Sequence, residues 1–267
     1  MRHSLAVFLL LTLSACSLLE PLPDGSAPVT QQSAEEIYDL GKTELNNGNY
    51  DQAIKLFESL QSRYPYGRYA QQALLEVAYA NYRQGEAEAA VSAADRFIKQ
   101  YPNNPHVDYA YYVKGLANFN GEIGILKSIG GQDPTERDPK AAQDSFAAFK
   151  ELVTRFPDSK YAPDSKVRMH YLVNALAKYE LHVASYYLRR GAYIAAANRA
   201  QGILAQYPNS PSTREALEIM VQAYDALGMA DLRDDAKRVL AKNAPAGEAE
   251  AVPAETKPEK SWWQFWK

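Results

Sequence analysis

An aromatic–proline pair recurs along this chain at the end of one amphipathic run after another. "SRYPYGRYA" (62–70), "KQYPNNPHVDYA" (99–110), "TRFPDSKYAPD" (154–164) and "AQYPNSPSTREA" (205–216) set prolines at 65, 102, 157 and 208, with Pro245 a fainter fifth. The gaps are 37, 55, 51 and 37 residues. Each proline closes a helix, because it lacks the N–H and its ring clashes with the preceding turn. Midway between prolines stands a glycine: Gly48, Gly85, Gly191 and Gly228, in "NNGNYDQA", "RQGEAEAA", "RRGAYIAA" and "ALGMADL". Glycine ends a helix in the left-handed conformation that a side chain would penalise. The chain is therefore expected to fold as helix pairs, one pair per proline.

A helix–turn–helix unit near 34 residues matches the tetratricopeptide pattern. The core positions of that pattern fall on Leu40-Gly41, Ala53, Phe57, Leu60 and Pro65, then on Ala90, Phe97 and Pro102. They continue at Gly115, Phe149, Leu152 and Pro157, then at Ala184, Tyr187, Ala196, Ile203 and Pro208. The expected fold is all-α, a tetratricopeptide-repeat solenoid of about five helix–turn–helix repeats, the fifth serving as a cap. The first oversize gap is filled by "GEIGILKSIGGQDPTER" (121–137), a loop inserted between the N-terminal repeats (33–120) and the C-terminal repeats (138–244). Asp138-Pro139 then restarts a helix, with Asp138 as N-cap and Pro139 in the first turn. The second excess contains no Gly or Pro, and predicts one long helix over about 164–190, about 40 Å at 1.5 Å per residue.

The two ends differ from the middle. Residues 1–15 begin with a basic Met1-Arg2-His3 and an apolar run of nine, Leu5–Leu13, too short to span a bilayer and suited to a secretory signal. "LSAC" (13–16) resembles the lipobox of bacterial lipoproteins, which implies that Cys16, the one cysteine of the chain, is lipidated. An ordinary signal cut after Ala15 would instead leave a free thiol. Residues 16–32 then form a lipidated N-terminus and tether, with three prolines and no helical periodicity. Because two or more acyl chains anchor stably, the mature chain would be anchored to a membrane without spanning it. Ser17 after the cysteine resembles the outer-membrane sorting pattern.

At the other end, residues 245–260 are an Ala-, Pro-, Glu- and Lys-rich tail expected to be disordered, followed by "SWWQFWK" (261–267). All three tryptophans of the protein, Trp262, Trp263 and Trp266, lie in that motif beside Phe265. As a helical turn, Trp262, Phe265 and Trp266 would share one face. Tryptophan favours the membrane–water boundary, so the motif is a candidate contact with a membrane or a partner; folding back into the chain's own aromatic groove is the alternative.

Placing the repeats on the consensus register puts Tyr38, Lys42, Leu75, Tyr79, Tyr82, Tyr109, Tyr112 and Phe119 on the groove formed by the first helices. Aromatics repeated on one face suit an extended peptide, the alternative for any single tyrosine being that it fills the core or a helix edge. Reaction chemistry is missing. The histidines are scattered (His3, His106, His170, His182), and neither a His-Glu-x-x-His nor a Gly-x-Ser-x-Gly motif occurs. "GEIGILKSIGG" lacks phosphate-cradling spacing. No catalytic residue, cofactor site or metal site is expected, and a net charge of −3 gives no case for nucleic acid.

Lipobox, tether and repeats together resemble the BamD family of outer-membrane assembly lipoproteins, over roughly residues 15–245. The most specific stretches are "SRYPYGRYAQQALLEVAYANY" (62–82), "HVDYAYYVKGL" (106–116), "RDPKAAQDSF" (137–146), "RFPDSKYAPDSK" (155–166) and "KYELHVASYYLRRGAYIAAANR" (178–199). The resemblance implies a non-enzymatic subunit of the machinery that folds and inserts β-barrel proteins, held at the periplasmic face of the outer membrane. It implies that the C-terminal repeats dock on a BamA-like barrel subunit, with Arg189, Arg190, Tyr193 and Arg199 as candidate contacts (Arg199 alternatively a plain helix-surface charge), and that other assembly lipoproteins are partners. The N-terminal groove would receive unfolded outer-membrane protein substrates. A periplasmic tetratricopeptide protein of the envelope-coordinating kind shares "YPNSP"-like repeats, but that class usually has an N-terminal coiled coil, which is not seen here.

Overall fold

The computed structural model describes residues 32–123 and 139–242, and among them ten α-helices. They are α1 (Ala34–Asn46), α2 (Tyr50–Arg63), α3 (Arg68–Gln84), α4 (Ala87–Gln100), α5 (Val107–Ile123), α6 (Lys140–Arg155), α7 (Ala162–Arg189), α8 (Tyr193–Gln206), α9 (Ser212–Ala226) and α10 (Ala230–Lys242). Each packs on the next in sequence, and the first helix of a pair also touches the first helix of the following pair: α1 on α3, α3 on α5, α7 on α9. Short connections make the pairs α1–α2, α3–α4, α7–α8 and α9–α10 antiparallel hairpins, while α5 packs on α6 across the longer insert. The result is the expected all-α solenoid of five tetratricopeptide-type pairs.

The punctuation residues act as the sequence predicts. Tyr64, Tyr101, Phe156 and Tyr207 each cap the second helix of a pair, with φ between −127° and −131° and ψ between 52° and 64°. Proline at the next position disfavours αR at these residues, so the helix stops there. Each still donates its N–H to the carbonyl four residues back, on Leu60, Phe97, Leu152 and Ile203, at 2.8 Å. Gly48, Gly85, Gly191 and Gly228 turn between helices at φ of 70° to 84°. The first helix opens with a capping box: Ser33 Oγ accepts from the Glu36 N–H, and the Glu36 carboxylate accepts from the Ser33 N–H.

The consensus glycines make the tightest packing. A Cβ on Gly41 would lie 2.6 Å from the Phe57 ring, and one on Gly115 would lie 2.5 Å from the Phe149 ring. Both phenylalanines are fully buried, so helix backbone and ring face meet directly. The core falls into three clusters: one over α1–α5 that also takes in Leu152 and Ala162, one of Leu116, Phe119, Ala142, Phe149, Leu172 and Leu176, and one over α7–α10. The middle cluster joins the halves through the N-terminal part of α7.

The register of single residues needs correction at three points. Leu40 is 41% exposed, because Gly41 alone of that pair meets Phe57. Tyr187 is only partly buried, although it packs on the C-terminal core. Pro139 is the N-cap residue, one position before the helix rather than in its first turn, and Asp138 lies outside the described residues. The long helix runs Ala162–Arg189, 28 residues, two positions earlier at its start than expected. The inserted loop lies outside the described residues apart from the helical end of α5. Cys16 and the tail with Trp262, Trp263, Phe265 and Trp266 also lie outside them.

Candidate protein-interaction surfaces

The first helices place the expected groove residues in two settings. Tyr38, Lys42, Leu75, Tyr109 and Phe119 are buried, so they do not line an open groove. The physical cause is close packing: α1 meets α3 and α3 meets α5, with Tyr38 and Lys42 in the first seam, while Phe119 lies against α6 and α7. Tyr38 Oη donates to Glu76 Oε1 at 3.0 Å, and Lys42 Nζ reaches the same oxygen at 2.6 Å. Glu76 is fully buried, and its second oxygen has no hydrogen-bond partner among the described residues. Burial raises the Glu76 carboxyl above its ordinary range and lowers Lys42, while their mutual attraction opposes both shifts. Burial, reinforced by Glu76, also raises the Tyr38 phenol. Glu76 is an acid inside the apolar run "ALLEVAYA", 34 residues or one repeat after Lys42, and that was its signal in the sequence.

Phe119 is enclosed similarly. It meets Phe149 and Tyr171 edge-on at 6.2 and 5.6 Å, and the Arg168 guanidinium lies over its ring at 4.7 Å. Arg168 is itself buried and pairs with Asp164 at 2.6 Å. Tyr112 Oη donates to the same Asp164 oxygen at 2.8 Å, and its ring stacks on Tyr161 at 4.6 Å. Burial raises the Tyr112 and Tyr161 phenols above their ordinary range. This cluster ties α5 to α7.

Three of the expected groove residues keep partial exposure: Tyr79, Tyr82 and Tyr112. Tyr79 and Tyr82 are in ring contact at 6.4 Å, and Arg83 donates to Tyr79 Oη at 2.8 Å. Arg83 was not foreseen from the sequence; it adds a cation to what is a tyrosine strip rather than a channel.

The C-terminal candidates occupy the corner between α7 and α8. Arg189 and Arg190 are exposed at the end of α7. Tyr193, one turn on, packs partly against the C-terminal core. Arg199 sits lower on α8, exposed but paired with Glu180 at 3.0 Å. Reasoning from the sequence missed two neighbours, Tyr186 at 49% exposure and Ile194 at 63%. Sequence position alone did not separate them from the core-facing Tyr187. The corner thus combines two guanidiniums with an exposed ring and an exposed aliphatic chain, the composition enriched at protein interfaces. Among the described residues no His, Cys, Asp or Glu cluster could hold a metal ion, and no helix is long and apolar enough to cross a membrane.

A family model described as an outer membrane lipoprotein, YfiO, matches residues 30–239. An outer membrane protein assembly factor BamD from Neisseria meningitidis serogroup B is 44% identical over 263 residues, covering 98% of each chain. The protein of that name from Xylella fastidiosa is 42% identical over 211 residues, 79% of this chain and 72% of its own. The one from Vibrio cholerae is 35% identical over 231 residues, 86% of this chain and 96% of its own. With the helix pairs, their glycine contacts and end-to-end identity in agreement, the chain belongs to the BamD family of outer membrane lipoproteins.

Proposed function

We propose that this protein is a non-enzymatic, lipid-anchored scaffold in the assembly of outer-membrane β-barrel proteins. It binds the barrel subunit of the machinery through the α7–α8 corner, and unfolded substrates through the Tyr79–Tyr82–Tyr112 strip. The observation that carries the reading is identity to named assembly factors along 98% of both chains. The corner's exposed Tyr186, Arg189, Arg190 and Ile194 support the first contact, and the tyrosine strip beside Arg83 supports the second. Acyl chains on Cys16 would hold the scaffold at the periplasmic face of the outer membrane, and the tail tryptophans would add a second contact with membrane or partner.

The test is purification in mild detergent. The wild-type chain is expected to bring down a large β-barrel protein. Arg189→Glu with Arg190→Glu should reduce that recovery by about tenfold or more, since reversed charges at an interface oppose their former partners. Unchanged recovery would remove the corner from the interface.

A further inference from the structure

Three of the four aromatic–proline turns are built alike, and the fourth is not. Asn104, Ser159 and Ser210 each donate a backbone N–H to the carbonyl of the aromatic cap three residues back, at 3.0 Å. Their side-chain oxygens each accept the N–H two residues on, from His106 at 2.9 Å, Tyr161 at 3.2 Å and Ser212 at 3.3 Å. These paired bonds set the start of the next helix. In the first turn the residues after proline are Tyr66 and Gly67, where the siblings have Asn103-Asn104, Asp158-Ser159 and Asn209-Ser210. Gly67 sits at φ 104° and has no side chain to accept the second bond. Among the described residues its N–H makes no bond to Tyr64. Tyr66 is 91% exposed, more than any other large hydrophobic side chain described. The turn has given up two local bonds to hold an aromatic ring in solvent, and departures of that kind mark functional sites.

Its surroundings indicate what the ring meets. Arg68 is exposed, its guanidinium laid over the Tyr69 ring at 4.7 Å, and Arg63 lies over Tyr64 at 5.5 Å on the other side of the turn. Tyr64 Oη donates to the carbonyl of Gln32 at 2.8 Å. The segment leading from Cys16 therefore joins the folded chain beside this turn. Residues 17–31 can span at most about 50 Å, and as a coil about 20–25 Å. A tether that short makes a further membrane contact effectively intramolecular, so a small patch suffices.

We propose that the Tyr66 turn is a lipid-headgroup contact, with the Tyr66 ring among the headgroups and Arg63 and Arg68 facing lipid phosphates. Tyrosine combines an apolar ring with a hydroxyl that stays wet, as the interfacial zone requires, and guanidinium matches phosphate in shape and charge. The contact orients the solenoid relative to the bilayer. The proposal rests on the lipid-anchor reading of Cys16.

The test is hydroxyl-radical footprinting of the lipidated full chain, in phosphatidylethanolamine–phosphatidylglycerol vesicles and in dilute non-ionic detergent. Flotation of the vesicles reports separately on the anchor, and only floated protein is footprinted. Tyr66 oxidation is expected to slow several-fold in vesicles, while exposed Tyr186 is unchanged. A double variant, Tyr66→Asn with Gly67→Ser, restores the sibling turn. It should fold with a melting temperature equal to or a few degrees above wild type and lose the vesicle-dependent protection of neighbouring Tyr69. Equal oxidation of Tyr66 in vesicles and detergent would overturn the proposal. So would protection appearing only on addition of a peptide with an aromatic C-terminus, which would make the turn a protein contact.

Discussion

Replacing Lys42 with methionine is expected to lower stability by about 3–5 kcal/mol at neutral pH, because it leaves a buried carboxylate without its countercharge. Glu76 is fully buried between α1 and α3, with Lys42 Nζ 2.6 Å away and Tyr38 Oη at 3.0 Å. For a protein whose total stability is about 5–15 kcal/mol, that is a large fraction. The penalty has a pH signature. Burial already raises the Glu76 carboxyl above its ordinary value of 4.5, and removing the cation raises it further. Between that raised value and 4.5, the folded variant binds a proton that the unfolded chain does not. Its stability therefore rises as pH falls through this window, and the deficit against wild type narrows. Urea unfolding at pH 7 and at pH 5, followed by circular dichroism, measures both numbers. Tyr38→Phe/Lys42→Met/Glu76→Leu should regain most of the loss, since an apolar replacement of a buried charge cluster is often neutral or stabilising. A deficit independent of pH would show that the Glu76 carboxylate is solvated.

Gly115→Ala is expected to destabilise by about 1–3 kcal/mol, although alanine in a helix interior is favoured over glycine by about 1 kcal/mol. The new Cβ would stand 2.5 Å from the Phe149 ring, and Phe149 is fully buried with no room to withdraw. Ser145 Oγ also donates to the Gly115 carbonyl at 2.9 Å, which holds α5 and α6 at this separation. Gly202→Ala is the internal control. Gly202 lies within α8, and a Cβ there meets nothing within 4 Å, so this change should stabilise by about 0.5–1 kcal/mol. Adding Phe149→Leu to Gly115→Ala should cost less than the sum of the two single changes, because the smaller side chain clears the contact. Thermal or urea unfolding of wild type and the four variants separates helix propensity from packing.

The architecture was legible because its signals are local and repeated. Proline after an aromatic cap, glycine at φ of 70° to 84° and glycine against phenylalanine each act within one helix pair, so the spacing of residue types was enough. Which face of a first helix stays open was harder to read. Tyr38, Tyr109 and Tyr79 all fit the groove register, yet the first two are buried and only Tyr79 keeps partial exposure. Their fate depends on how closely α1, α3 and α5 approach one another, a non-local quantity. The polar side chains inside that seam could have warned of it: Glu76 in an apolar run, one repeat from Lys42, is best explained as a pair between neighbouring helices. At the C-terminal corner, the adjacent tyrosines 186 and 187 differ only in the phase of α7. One is exposed and the other packs on the core.

The central claim is that two separate surfaces bind two kinds of partner in outer-membrane assembly. Photo-crosslinking from single sites in living cells tests it most directly, with the crosslinker placed at Arg190 in one strain and at Tyr82 in another. Arg190 is predicted to capture one large β-barrel protein at a constant ratio, and Tyr82 to capture unfolded outer-membrane proteins whose yield follows their rate of synthesis. Capture of only soluble periplasmic proteins at both positions would contradict the claim.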